Sequence, residues 1–365
     1  MLPNIDNLAP LRADEINRVR DIYIPLSRVD GNRTLALNLQ SAVAYLGEPH
    51  ARRLLDPADP DVTSHALGLA DGLDQKLQSG RSRCRVTAGA KTFRAQMGQH
   101  AHGADVHLRV LPSEVPLLSQ LDMDPLWRDL MLAEGLFAGG LVLIAAPHGQ
   151  GKTTSASSLI ATRLQRYGGL ANTFEDPIEL PLQGVWGAGG VCIQREVSLG
   201  DPSGFSGAMV DALRQYPATG EATILFIGEI MDAATALEAV KAAANGHLVV
   251  ATMHGRGIEA ALRRLTLLCC AGADNVSESS VRAMIAEVLR GVFHQRLAWT
   301  LDRTDWSAAR VEGEVVWSPE ATSSLAEAIR SPDGTRLPAE VAHQQKLRER
   351  DASRYLNMMN VRSGA

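Results

Sequence analysis

Lys152 and Thr153 close the run Ala146-Pro147-His148-Gly149-Gln150-Gly151-Lys152-Thr153, a spacing suited to one kind of chemistry, the binding of a polyphosphate. Such a ligand needs backbone N–H groups turned inward, a helix N-terminus aimed at its charge, a lysine for the terminal phosphates and a hydroxyl for Mg²⁺. Gly149, Gln150, Gly151, Lys152, Thr153 and Thr154 are placed to supply them. Glu175, within Thr173-Phe174-Glu175-Asp176-Pro177-Ile178-Glu179, and Glu229, after Ile224-Leu225-Phe226-Ile227-Gly228, add two carboxylates. Beside a phosphate loop, such groups hold metal-bound water or take the proton of an attacking one. His254 ends Thr252-Met253-His254 and is placed to sense a terminal phosphate. The common pattern G-x-x-x-x-G-K-[ST] opens on glycine, where this chain has Ala146, with the bulkier His148 nearby. A positive φ at Ala146 would strain the loop by about 1 kcal/mol or more.

These groups work only if strands deliver them to one rim. The apolar run Gly140–Ala145 reads as a buried strand before the loop, and Thr154–Tyr167 as the helix after it. Strands at Ala171–Phe174, Thr223–Ile227 and Leu248–Thr252, with a helix near Ala233–Ala244, continue the alternation. Alternating β and α units predict an α/β fold with a mostly parallel sheet, whose ligands bind beyond the carboxyl ends of the strands. Residues 1–111 read instead as a small α+β domain, with strands at Asp21–Ile24, Thr34–Leu37, Cys84–Thr87 and Thr92–Gln96 and a helix at Gln40–Tyr45. Two prolines, Pro112 and Pro116, mark a linker over residues 112–118. The second domain then spans 119–365; its pattern weakens after Thr300, and Glu340–Asn360 reads as a charged helix.

A chain of 365 residues is long enough for two cores. Its net charge of −5 argues against a protein built to coat nucleic acid, and no stable DNA binding is expected. Met1–Arg20 lacks the apolar centre of a signal peptide, and no run approaches the roughly 20 apolar residues of a spanning helix, so a cytoplasmic chain without a transmembrane segment is expected. Cys84, Cys192, Cys269 and Cys270 show no CxxC spacing and are read as reduced, apolar fillers. His247, taken alone, is more simply a packed histidine than a catalytic one.

In register with the Lys152 loop stand Thr173–Glu179, Gln194-Arg195-Glu196-Val197, Ile224–Glu229, Gly246-His247-Leu248-Val249 through His254, and Gln295-Arg296-Leu297. Through these motifs, from about Arg83 to Leu297, the chain resembles the secretion-type hexameric ATPases, the PilT-like group that includes type IVB secretion and conjugation ATPases. The resemblance implies an N-terminal PAS-like domain joined to a RecA-like ATPase domain, in a homohexamer with ATP at the subunit boundaries. By it, Lys152 binds the β- and γ-phosphates, Thr153 and Glu229 hold Mg²⁺, Glu175 is the general base, and His254 reports the nucleotide state. Arg94 and Arg109 match arginines that the family sends to the phosphates, whereas His102 stands where a third is expected. Three departures shift weight from pilus retraction towards conjugation or type IVB secretion. They are the longer loop Arg214–Glu221, Met231 in place of an arginine, and retention of only Ala328-Ile329-Arg330 from the retraction-motor helix motif. A site peripheral to the inner membrane follows, with platform or secretion-complex proteins as partners. Two other readings stay open: a nucleotide-binding regulator with little turnover, and a DNA-translocating hexamer.

Overall fold

A computed structural model describes residues 8–12, 19, 21–28, 35–38, 41–46, 52–55, 83–88, 91–100, 103–197, 204–214, 222–273, 276–298, 309–331 and 335–361. His102 and most of the loop before Ala222 lie outside the described residues. Two compact units divide between Glu114 and Val115.

In the first unit, β1 (Asp21–Arg28), β2 (Leu35–Leu37), β3 (Val43–Tyr45), β4 (Arg52–Leu54), β5 (Arg83–Ala88), β6 (Lys91–His100) and β7 (Gly103–Leu111) form an antiparallel sheet of order β4-β3-β1-β7-β6-β5, with β2 on β1. Strict alternation explains its one-sided core. Ala104, Val106 and Leu108 are buried with Ile22, Ile24, Val86 and Phe93, while Asp105, His107 and Arg109 point the other way. The helix expected at Gln40–Tyr45 is corrected here: Val43-Ala44-Tyr45 is strand β3, paired with Tyr23-Ile22-Asp21 on one side and Leu54-Arg53-Arg52 on the other. A β-branched and an aromatic residue suit that pairing, and a six-residue window was too short to reveal it.

The second unit holds an eight-stranded sheet of order β10-β11-β9-β12-β13-β8-β14-β15. These strands are β8 (Gly140–Ala146), β9 (Gly169–Glu175), β10 (Gly184–Trp186), β11 (Gly190–Glu196), β12 (Thr223–Ile227), β13 (Leu248–His254), β14 (Leu289–Ala298) and β15 (Arg310–Trp317). β11, β9, β12, β13, β8 and β14 run parallel; β10 and β15 close the edges antiparallel. Both faces are covered. Leu141, Leu143 and Ala145 pack with Ala239, Val240, Leu265 and Ile285 on one face, while Val142 and Ile144 pack with Trp127, Leu159, Ile160 and Tyr355 on the other.

The helices are α1 (Pro125–Met131), α2 (Lys152–Tyr167), α3 (Gly204–Leu213), α4 (Ala233–Ala244), α5 (Ile258–Gly272), α6 (Glu278–Val288), α7 (Ser324–Arg330), α8 (Arg336–Arg350) and α9 (Ala352–Met358). The charged helix expected at Glu340–Asn360 is thus two helices, broken where Asp351 caps the second by accepting from Arg354 N–H at 2.9 Å. β8 connects through α2 to β9, three places away, whereas α4 and α5 connect strands in the opposite sense. Right-handed crossovers that travel in opposite directions must use opposite faces, which is where α2 and α4/α5 lie. The carboxyl end of β8 thus lies at the point where the chain direction switches, the place where such sheets bind their ligands. Among the described residues no helix is long and apolar enough to cross a membrane.

Candidate nucleotide site

β8 is buried along its whole length and ends on Ala146, with the phosphate loop beyond it. Ala146 belongs to the strand, and Asn360 is the one non-glycine of positive φ among the described residues, so the strain considered for Ala146 does not arise. The left-handed positions fall on Gly149 (φ 73°) and Gly151 (φ 74°), where no Cβ is penalised. Gly151 caps α2, whose first turn, with Lys152, Thr153 and Thr154, opens directly off the loop. Gly151→Ala is expected to cost about 1–2 kcal/mol through its left-handed backbone, lowering the thermal midpoint by a few degrees. An unchanged midpoint would show that the loop relaxes freely.

Lys152 is largely buried, and its ammonium lies 3.3 Å from Ala146 O, 3.1 Å from Pro147 O and 3.2 Å from His254 Nδ1. Burial lowers its pKa, with Glu229 and Glu179 opposing. His254 ends β13 directly beside Ala146 in register, and its Nε2 sits 3.0 Å from Glu229 Oε1. The ring thus stands between the two, with Nδ1 towards the Lys152 ammonium and Nε2 towards the Glu229 carboxylate. His148 is exposed, its ring centroid 5.9 Å from that of His254.

Glu229 stands two residues beyond β12 and is gripped from β13. The Thr252 hydroxyl donates to Gly228 O, and Ile230 N–H donates to Thr252 O at 2.9 Å. Asp232 then caps α4 through Thr235 N–H at 2.9 Å, fixing the far side of the turn.

Glu175 ends β9, in the same row of strand termini, and is 2% exposed. Its Oε1 accepts from the Thr173 hydroxyl at 2.7 Å and from Gln194 Nε2 at 2.9 Å. Oε2 is buried without a hydrogen-bond partner. Burial pushes this carboxyl up to about 7, against the hydrogen bonds from Thr173 and Gln194. A group poised near neutrality with one bare oxygen is fit to accept a proton.

No cluster of three or more His, Cys, Asp or Glu side chains with metal-holding geometry occurs among the described residues. A divalent ion here would rest on the Thr153 hydroxyl, Glu229 and ligand phosphates, the sparse protein ligation that Mg²⁺ accepts. Glu229 Oε1 is buried, and its contact with His254 Nε2 at 3.0 Å is not an aligned hydrogen bond, so the carboxylate keeps lone pairs that fit such a cation.

Lys152, Glu175, Glu229 and His254 therefore meet at one rim. His247 does not. It precedes β13 at the opposite end of the sheet, roughly 20 Å of strand from His254, with Nδ1 2.6 Å from the Thr223 hydroxyl. Arg94 and Arg109 lie in the first unit, directly opposite one another on β6 and β7. Arg109 Nε donates to Asp21 Oδ1 at 2.8 Å. Burial would raise the Asp21 pKa, but hydrogen bonds from His107 and Arg109 outweigh it and hold it low. Sequence reasoning gave no role to Thr173, Gln194 or Thr252, although all three lie inside the quoted motifs. Their work is to orient Glu175 and Glu229.

The profile of the family described as Type II/IV secretion system protein matches residues 69–353. The protein YggR of Escherichia coli K12 is 33% identical over 224 residues, 60% of this chain and 63% of that protein. The type IV pilus retraction ATPase PilT of Pseudomonas aeruginosa is 32% identical over 212 residues, 57% of this chain and 56% of that one. The aligned part thus spans under two thirds of these relatives. Among solved structures, the pilus retraction motor PilT with bound ADP superposes with a TM-score of 0.63 at 22% identity, covering 92% of this chain and 91% of that one. The Legionella pneumophila ATPase DotB gives 0.62 at 20% identity, covering 92% and 84%. At such identities the likeness is one of fold, and it is the α/β fold expected, preceded by a small N-terminal domain.

Proposed function

Since the chain belongs to the Type II/IV secretion system protein family, we propose that it hydrolyses ATP to ADP and phosphate in a homohexameric ring and so powers a type IV pilus, conjugation or type IVB secretion machine at the inner membrane. The observation that carries the enzymatic part is the row of strand termini that brings Lys152, His254 and Glu229 into one chain of contacts, with Glu175 on the same rim. We assign residues 1–111 to the N-terminal domain, 112–118 to a linker and 119–365 to the ATPase domain. Arg94 and Arg109 are assigned to the substrate phosphates, where guanidinium donors stabilise charge on a transferring phosphoryl group.

Each residue then has a physical task. Gly149, Gln150 and Gly151 present backbone N–H groups, and the α2 N-terminus adds its partial positive charge. Lys152 turns its donors from the loop carbonyls to the β- and γ-phosphates. Mg²⁺, held by Thr153 and Glu229, neutralises charge on those phosphates when bound. Glu175 takes the proton of the attacking water on Oε2, because Thr173 and Gln194 already occupy Oε1. His254 exchanges partners between Lys152 and the phosphate, so its link to Glu229 changes with occupancy.

Purified protein should hydrolyse ATP with Mg²⁺, and Glu229→Gln should slow it by roughly 10- to 100-fold while sparing nucleotide binding. Native mass measurement would read the ring. Hydrolysis unchanged in this variant would sink the assignment of Glu229, and no hydrolysis by the wild type would favour the regulatory reading.

A further inference from the structure

We propose that Gln295 is the positioning residue of the phosphate loop, holding the Gln150–Gly151 peptide so that its N–H faces the nucleotide. The inference rests on the nucleotide reading above and adds a residue from a strand that carries none of the reacting groups.

β14 is the neighbour of β8 on the side away from β13, and the last register pair between them is His294 with Ala145. Beyond this pair β8 gives way to the loop, and the edge of β14 that faced it has no strand left to bond, while its other edge stays paired with β15. Its next residues grip the loop instead. The side-chain amide of Gln295, fully buried, donates from Nε2 to Gln150 O at 2.5 Å, and Leu297 N–H donates to the Gln150 side-chain Oε1 at 2.8 Å. Gln150 is therefore held twice by one strand, through its backbone and its side chain.

The consequence follows from peptide geometry. In a planar trans peptide the C=O and the following N–H point in opposite directions. A Gln150 carbonyl drawn towards β14 turns the N–H of Gly151 away from β14, to the inner side of the loop where phosphate oxygens are bound. Gly151 holds the left-handed φ of 74° that this orientation needs. The fit is close: a Cβ on Gly151 would lie 3.4 Å from Gln295 Nε2 and 3.5 Å from the Leu297 methyls. Leu would fill this buried place without the donor, and Glu would present an acceptor to the Gln150 carbonyl.

The test uses Gln295→Glu in the full-length protein, with ADP–Mg²⁺ titrated calorimetrically at pH 8 and pH 5.5 and wild type measured beside it. An ionised glutamate keeps the volume and loses the donor, so ADP affinity relative to wild type should fall at least tenfold at pH 8. At pH 5.5 a protonated carboxyl regains an O–H donor for Gln150 O, and the deficit should shrink to within about threefold. A purely space-filling role would give a deficit that ignores pH. Gln295→Leu, which keeps bulk but has no donor at any pH, should stay weak at both. The proposal is overturned if Gln295→Glu binds ADP like wild type at pH 8, if its deficit is the same at both pH values, or if Gln295→Leu binds normally. Should the wild type itself bind no ADP, it is the nucleotide reading that fails, and the two results are distinct.

Discussion

Replacing Glu175 by glutamine is expected to abolish turnover, by roughly 10²–10⁴-fold, while ADP and ATP still bind. The substitution keeps the shape of the side chain and its place between Thr173 and Gln194 but removes the lone pair that receives the proton. The loss should appear in kcat, with nucleotide dissociation constants within a few-fold of wild type. Wild-type turnover should also fall about tenfold per unit below about pH 7, where burial places the Glu175 ionisation, and level off above it.

The same raised pKa makes a stability prediction of definite sign. A carboxyl that ionises near 4.5 when unfolded and near 7 when folded binds more protons in the native state between those values. The Glu175 contribution to wild-type stability therefore falls as pH rises through that window, by an amount on the order of 3 kcal/mol, and is constant outside it. Glu175→Gln has no such proton to lose, so its midpoint relative to wild type should rise between pH 4.5 and pH 7.5. The new amide N–H, buried where Oε2 had no partner, sets back the whole curve without changing its slope. Thermal unfolding across pH checks this. Parallel curves for the two proteins would remove the buried ionisation, and turnover at the wild-type rate would remove the base.

How much of this was legible in the sequence follows from the range of the forces involved. The strand before the loop, the helix after it and the acids at later strand ends are local patterns, and the helix expected at Ala233–Ala244 has those bounds in the structure. Period-two burial on both faces of Leu141–Ala145 is likewise written in a run without polar interruption. What could not be read was decided by neighbours far along the chain. Val43–Tyr45 is a strand because β1 and β4 flank it. His247 and His254 share one motif, yet a strand separates them, so that one reaches the site and the other bonds Thr223. Gln295 meets Gln150 across 145 residues, a distance over which spacing says nothing. β15 was missed because it pairs only at an edge, antiparallel to β14, where half-exposed residues such as Glu312 and Glu314 dilute the apolar signal.

Lys152→Ala should separate binding from folding more cleanly than any other substitution. The ammonium has three donors, and all three have acceptors within 3.3 Å: two loop carbonyls and His254. Removing it deletes those bonds but also releases a buried charge whose desolvation depresses its own pKa, and these effects offset one another. The sign is set by that depression. The unfolded chain holds the Lys152 proton more tightly than the folded one, so its charge weakens the fold at neutral pH and the penalty fades as pH approaches the unfolded value of 10.5. The midpoint without nucleotide should thus stay within a few degrees of wild type, or rise. With nucleotide the two proteins should part. Charge-assisted bonds to phosphate are worth about 1.5–3 kcal/mol each, so losing two weakens binding by roughly 10²-fold or more. At a nucleotide concentration of about 100 times the wild-type dissociation constant, wild type gains about 2.7 kcal/mol of stability and a midpoint higher by several degrees. Lys152→Ala should gain almost none of this, while Glu175→Gln should keep it in full. A nucleotide-induced shift of wild-type size in Lys152→Ala would mean that the loop binds its ligand by backbone and helix terminus alone, leaving the lysine to its contacts with Ala146, Pro147 and His254.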